Sequence, residues 1–247
     1  MTFDEHLGHL DEDGVALADA AGRAGWDAPV PATTWSVRDL VTHVGGIHRW
    51  AADVVRTASA TADTAAGRAV GTGPGDGELL AWFRDGHAEL VATLRAAPQD
   101  LRCFAFLPAP SHLAFWARRQ AHETAIHRAD AQLSVGMTPT FDVALAQDGI
   151  AEMLFGFAAR KSNAVATPGV MELRATDDGS NWIVTLGGER IVAHTVEPAS
   201  ARAEPDVTVS GTSGDLYLWV WNRPSAAEVS GTTGLAEAWR SVRVRWG

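Results

Sequence analysis

Cysteine and tyrosine are almost absent from the chain, which has one residue of each among 247. The single cysteine, Cys103, excludes an intramolecular disulfide and a metal site built from thiolates. Basic residues are fewer than acidic ones, 20 against 30, and the formal net charge is -10. Because nucleic acids and anionic membranes attract clustered Lys and Arg, we expect neither as the main partner. A local basic pocket for a small acidic substrate is compatible with this balance.

Long apolar runs are also lacking. No uninterrupted apolar stretch is long enough to span a bilayer, and Met1–His6 contains no basic segment followed by an apolar run. We therefore expect neither a membrane span nor a secretion signal, and we predict a cytoplasmic protein. The length suits one large domain or two smaller ones.

The first two thirds of the chain show apolar residues at helical spacing. Ser36 with Asp39 three residues later resembles a capping box at the start of the second of five predicted helices. Residues 59–77 are rich in Ala, Thr and Gly and are predicted to be a flexible loop. The predicted helices cover about 3–24, about 36–58, from 79 to near 98, from after 110 to about 134, and about 142–162.

The pattern changes near 167–169, where short runs with β-branched residues begin. The sequence predicts an α+β protein, with a helical bundle over 1–163 and a smaller α+β domain over 170–247. The runs predicted to be strands are 170–175, 182–186, 190–196, 207–209 and a short one around 229, with helices over 215–221 and 234–239.

A carboxylate and an imidazole lie four residues apart at Glu123 and His127, on one face of a predicted helix. Two such groups can bind one divalent cation, and a third ligand would leave a coordination position open. His43 is the best candidate, because it lies one turn before Ile47 on an apolar stripe, where an ionisable group needs a partner. Asp130, one turn after His127, is predicted to hold its other ring nitrogen. Two imidazoles and one carboxylate suit zinc, and also nickel, manganese or ferrous iron.

Other interpretations of these residues stay open. A Glu and a His at this spacing commonly form a surface pair, and a lone His near an apolar stripe is usually a hydrogen-bonded core residue. His122 points about a quarter-turn away from Glu123 and is interpreted as structural or as support for the ligands. The zinc-protease motif needs histidine where Ile126 stands, so protease activity is disfavoured. The metal site could also be purely structural, in which case a fourth protein ligand would fill the remaining coordination position.

Two segments of the predicted bundle, and one segment of the predicted second domain, resemble one family. Trp35–Val44 is similar to the Trp-x-Val-x-Asp-Leu-x-x-His-Leu segment of the mycothiol-dependent maleylpyruvate isomerase family. Val209–Gly231 looks like the C-terminal domain of that family. The second bundle signature of the family resembles Arg119-x-x-His122-Glu123-x-x-x-His127-Arg128-x-Asp130.

This resemblance covers nearly the whole chain. It implies a DinB-like four-helix bundle, here with an extra helix, and a C-terminal domain that resembles sterol-carrier modules. It also implies His43, Glu123 and His127 as metal ligands, usually of zinc, and mycothiol as the thiol cosubstrate. Gly45 and Gly46 follow the first ligand inside its helix. Because glycine there costs about 1 kcal/mol relative to alanine, we expect close packing or ligand access at that turn.

The function that the resemblance implies is that of a thiol-dependent isomerase. A metal-bound thiol loses its proton near neutral pH, and the thiolate adds to an electron-poor carbon. For a maleylpyruvate-type substrate, rotation and elimination then return the trans isomer. Arg223 is the candidate catalytic residue that docks the substrate carboxylates; the alternative is an exposed loop arginine. Arg119 and Arg128 flank the ligands but could equally pair with surface carboxylates.

Two other functions are open, S-transfer of mycothiol to an electrophile and a non-catalytic carrier of hydrophobic ligands. Cys103 has no basic neighbour and is interpreted as a buried inert thiol. The expected partners are a small thiol and a small acidic or electrophilic molecule, and the sequence indicates no oligomeric state. The carrier hypothesis places an apolar tunnel among residues that core packing explains as well, namely Leu216, Leu218, Trp219 and Trp221.

Overall fold

The computed structural model describes residues 1–196 and 204–244. The chain divides into two compact units, Met1–Thr140 and a second one that begins at Phe141. Within the described ranges, no helix is long and apolar enough to cross a membrane.

The first unit consists of four long helices and one short one. Helices α1 and α2 each pack against α4 and α5, so the long helices enclose a single core. The predicted helices of this region are confirmed, with ends that shift by a few residues. The prediction of a loop over 59–77 is only partly right, since this segment contains α3 and the start of α4. The helices are α1 (Phe3–Arg23), α2 (Val37–Thr57), α3 (Ala65–Arg68), α4 (Asp76–Ala96) and α5 (His112–Ser134).

Reciprocal hydrogen bonds cap the N-terminus of α2. The Asp39 amide donates to Ser36 Oγ at 3.2 Å, and the Ser36 amide donates to Asp39 Oδ2 at 2.9 Å. Both backbone donors would otherwise lack a partner at the helix start, so the cap fixes where α2 begins. Leu40 and Val44 then face the core and are fully buried. The predicted capping box is therefore confirmed.

Two glycines allow α2 to pack closely against its neighbours. A Cβ atom on Gly45 would lie 2.3 Å from the Trp82 ring of α4, and one on Gly46 would lie 3.1 Å from the Val70 backbone. The Arg49 guanidinium also lies 4.0 Å from the centre of the Trp82 ring and donates to the Gly45 carbonyl at 3.1 Å. Of the two expectations for these glycines, close packing is the one that the structure bears out.

We expect Gly45→Ala to lower the free energy of unfolding by about 1–3 kcal/mol, the usual cost of overpacking a core. Gly8→Ala on α1 is the matched control, because nothing lies within 4 Å of an added Cβ there. That change should be neutral or stabilise the protein by up to about 1 kcal/mol. Urea unfolding of both variants is the measurement. Equal stabilities for the two would contradict the packing role of Gly45.

The second unit is a five-stranded sheet with helices. The strand order is β3-β2-β1-β4-β5; β1 and β4 are parallel, and the other neighbouring pairs are antiparallel. Helices α7 and α8 pack against β1 and β4, and Tyr217 and Trp239 are fully buried. The predicted α+β class is confirmed. The elements are α6 (Val143–Ala151), β1 (Gly169–Ala175), β2 (Asn181–Leu186), β3 (Val192–Val196), β4 (Val207–Gly211), α7 (Ser213–Val220), β5 (Glu228–Gly231) and α8 (Thr233–Trp239).

The division between the units differs from the predicted one. The sequence assigns 1–163 to the bundle and 170–247 to the second domain, whereas the compact units divide after Thr140. Helix α6 and the π-helical turn Glu152–Ala158 that continues it therefore belong to the second unit. The reason is that α6 packs on α7: a Cβ atom on Gly149 would lie 2.3 Å from the Tyr217 ring. Of the predicted second domain, 197–203 and 245–247 lie outside the described residues.

Candidate metal centre

Helices α2 and α5 bring the three predicted ligands together inside the first unit. One donor atom from each of His43, Glu123 and His127 lies within 4.8 Å of the other two. Glu123 Oε1 is the common point, 3.3 Å from His43 Nε2 and 3.4 Å from His127 Nε2. His43 lies 80 positions before Glu123 in the sequence, so the packing of two helices brings it to the pair on α5.

The spacing of these atoms fits a small divalent cation. With bonds of about 2.0–2.1 Å, two ligand atoms of a tetrahedral site lie about 3.3–3.4 Å apart. The two nitrogen–oxygen distances around Glu123 Oε1 match that value. Two neutral nitrogens and one carboxylate oxygen are also a donor set that leaves a fourth position open. The residues therefore fit the metal that the sequence predicts for them.

The cluster is buried on one side and accessible on the other. The side chains of Glu123 and His127 are 3% and 7% exposed, while that of His43 is 25% exposed. A ligand in the open position would therefore enter from the side of His43. Trp35, which precedes the cap of α2, covers both imidazoles: its ring lies 4.7 Å from that of His43 and 5.7 Å from that of His127.

Two further residues of α5 hold the candidate ligands in place. Asp130 Oδ2 lies 2.9 Å from His127 Nδ1, as the sequence predicts, so that Nδ1 carries a proton and Nε2 is left to bind. Arg119 Nη2 donates to Glu123 Oε2 at 2.9 Å. Both Asp130 and Arg119 are fully buried. The sequence pattern left Arg119 open to pairing with a surface carboxylate, whereas the structure pairs it with a buried one.

The same contacts set the charges of the cluster. Burial would raise the pKa of Glu123, but hydrogen bonds with His127 and His43 and the charges of His127 and Arg119 hold it well below its usual range. Burial would lower the pKa of His127, but hydrogen bonds with Asp130 and Glu123 raise it to about 8. The carboxylate is therefore charged at neutral pH, and in the metal-free protein His127 holds a proton that a cation must displace.

The remaining residues of interest are placed as follows. Arg223 lies in the second unit just after α7, where its side chain is half-buried. Its Nη1 donates to the Trp221 carbonyl at 3.0 Å, and its backbone amide donates to the Leu218 carbonyl. His122 is fully buried beside His6, with 5.9 Å between ring centres. The Cys103 thiol is buried, and burial raises its pKa. A nucleophilic role for that thiol gains no support.

Trp35 lies beside the cluster, and the sequence assigned it no role. Its position depends on the path of the chain before α2, where its carbonyl accepts from the Val30 amide at 2.9 Å. A signal was present, because Trp35 is the first residue of the segment that resembles the family. The motif alone does not indicate which groups the indole ring contacts.

Fold and site together define a class of protein: a helical bundle with a His–Glu–His cluster, followed by a smaller α+β unit. The family model described as mycothiol maleylpyruvate isomerase N-terminal domain matches residues 7–132, and the MDMPI C-terminal domain matches residues 144–238. The chain therefore belongs to the mycothiol-dependent maleylpyruvate isomerase family, which is a family of enzymes. The predicted family is thereby confirmed.

Solved structures show the same fold. A crystal structure of the mycothiol-dependent maleylpyruvate isomerase matches with a TM-score of 0.66 at 14% identity, covering 93% of each chain. A mutant of the mycothiol-dependent maleylpyruvate isomerase matches with a TM-score of 0.65 at 13% identity, again covering 93% of each chain. A comparison with curated proteins finds no significant match.

Zinc affinity should depend on pH in a way that the His127 contacts set. Because the pKa of His127 is raised to about 8 in the metal-free protein, zinc competes with a proton below that pH. We expect the affinity to rise about tenfold per pH unit up to about pH 8 and then to level off. Competition with a coloured chelator between about pH 6 and about pH 9 measures it.

Asp130→Asn is the matched variant for this experiment. An amide in place of the carboxylate removes a negative charge that raises the pKa of His127. The pH at which the zinc affinity stops rising should therefore be lower in this variant. A pH dependence that is the same in both proteins would show that another group controls zinc binding.

Proposed function

We propose that the protein is a mycothiol-dependent metalloenzyme that catalyses cis–trans isomerisation of a maleylpyruvate-type substrate. His43, Glu123 and His127 would hold a divalent cation, most suitably zinc. The observation that carries the proposal is the spacing of their donor atoms, 3.3 and 3.4 Å around one carboxylate oxygen. Membership of the family supports the choice of thiol and of reaction type.

Held by His43, Glu123 and His127, a divalent cation would lower the pKa of a coordinated thiol so that thiolate would form near neutral pH. The protein contributes the surroundings. Asp130 keeps His127 in the tautomer that offers Nε2, and burial keeps water from the carboxylate side of the cluster. His43, the most exposed of the three, lies on the side from which a thiol would approach. Trp35 places an apolar ring beside that approach.

The isomerisation itself uses the thiol as a true catalyst. The thiolate sulfur adds to an electron-poor carbon of the conjugated double bond, and the electron pair of that bond moves towards the neighbouring carbonyl. The former double bond is now single and rotates. Elimination of the thiolate restores the double bond in the trans geometry and returns the thiol unchanged, so no oxidant or reductant is required.

A substrate with two carboxylates needs a cation to orient it, and we assign this role to Arg223. A planar guanidinium can bind a carboxylate through two hydrogen bonds. Its Nη1 donates to the carbonyl of Trp221, which supports the orientation of the head group. The half-buried position of the side chain is compatible with contact to a small molecule.

Turnover is the first test of the proposed function. The zinc-loaded protein should isomerise maleylpyruvate with mycothiol present, show no turnover without the thiol, and lose activity with a chelator. His43→Ala should reduce kcat/KM by at least about 100-fold, because a ligand is lost. His194→Ala, at an exposed position of β3, is the control and should keep full activity.

The outcomes separate the alternatives. A stable mycothiol adduct from a panel of electrophiles, without isomerisation, would identify S-transfer instead. Tight retention of an apolar molecule that is unaffected by His43→Ala would identify a non-catalytic carrier. Either result would replace the isomerase proposal.

Arg223→Gln tests the docking role. Loss of a hydrogen-bonded charge pair with the substrate costs about 1.5–3 kcal/mol, so KM for maleylpyruvate should rise about 10- to 100-fold. Mycothiol and zinc binding should stay unchanged. Arg190→Gln removes an exposed arginine of the same unit and serves as the control. An unaltered KM for Arg223→Gln would refute the assignment.

A further inference from the structure

The two oxygens of Glu123 have different partners. Oε1 lies 3.3 and 3.4 Å from the Nε2 atoms of His43 and His127. Oε2 instead accepts a hydrogen bond from Arg119 Nη2 at 2.9 Å. One oxygen is thus directed at the cation position and the other is occupied by a guanidinium.

The pair of Arg119 and Glu123 is buried as well as close. The side chains are 0% and 3% exposed, and Arg119 lies one helical turn before Glu123 on α5. Charges so far from water interact more strongly than a surface pair does, and separating them would leave a buried charge without compensation. Arg119 therefore opposes any rotation that would turn Oε2 towards the cation.

We propose that Arg119 is a positioning residue that restricts Glu123 to binding the cation through one oxygen, which keeps a coordination position open for the thiol. The inference rests on the proposed function, because it concerns the same cation and the same thiol. A carboxylate that binds through both oxygens would add a fourth protein atom to the two imidazole nitrogens and the first oxygen. A thiol would then compete with that fourth atom for its place on the cation.

Charge balance points in the same direction. Arg119 contributes one positive charge to a buried cluster that also contains the carboxylates of Glu123 and Asp130. With a divalent cation these groups sum to one positive charge, which one incoming thiolate balances. Without Arg119 the buried cluster would carry an uncompensated negative charge, which would disfavour a thiolate.

The test uses cobalt(II) in place of zinc, because four-coordinate cobalt absorbs visible light more strongly than five-coordinate cobalt. Arg119→Met frees Oε2 and should shift the spectrum towards the weaker, five-coordinate form. The affinity of the cobalt-loaded protein for 2-mercaptoethanol should fall about 10- to 100-fold, the range seen when a group behind a ligand is removed. Arg119→Lys, which keeps a cationic donor, should restore the four-coordinate spectrum at least partly.

Arg128→Met is the matched control. Arg128 lies on the same helix and is also buried, but it pairs with Asp13, at 2.8 Å, and donates to the carbonyl of Thr140. Its loss should leave the cobalt spectrum and the thiol affinity as in the wild type. If Arg119→Met retains both the wild-type spectrum and the wild-type thiol affinity, the positioning role is refuted.

A measurement on the wild-type protein covers the case in which Arg119→Met does not fold. The infrared carboxylate stretches of zinc-loaded protein with ¹³C-labelled glutamate are widely separated for one-oxygen binding and closer together for two-oxygen binding. We expect the wide separation, and the narrow one would overturn the inference. A wild-type protein that binds no metal or no thiol would instead contradict the proposed function itself.

Discussion

A buried carboxylate must find partners other than water, and the structure of the first unit supplies three to Glu123. Two imidazoles approach one oxygen and a guanidinium approaches the other. Any of these alone would be an ordinary buried contact. Together they make Glu123 a charged group with one oxygen directed at the point where the Nε2 atoms of His43 and His127 also converge. The proposed chemistry depends on that arrangement being fixed before a ligand arrives.

The rigidity comes from two helices that are positioned by unrelated means. Helix α5 carries Glu123 and His127 on one face, so their separation is a property of the helix alone. Helix α2 must bring His43 to the same point, and its position is set by the cap at Ser36 and by the close approach to α4 at Gly45. The glycine therefore contributes to the site through the position of the helix that carries His43.

The sequence predicts part of this arrangement and not the rest, for physical reasons. His43 was accessible to prediction because an apolar stripe defines which face of α2 is buried. The division between the units could not be predicted, because the apolar spacing over 143–162 is the same whether that helix packs on a bundle or on α7. The partner of Arg119 could not be predicted either, because an arginine one turn from Glu123 has the same spacing on the surface and in the core. The role of Arg223 stays a prediction.

Metal analysis of protein purified without added metal tests directly whether side chains of two helices share one cation. We expect about one zinc ion or comparable divalent ion per chain in the wild type, since the site has the donor set of a zinc centre. That ion should be lost in both Glu123→Ala and His43→Ala, with the fold retained. A wild-type protein without metal, or an ion retained by both variants, would contradict the shared cation site.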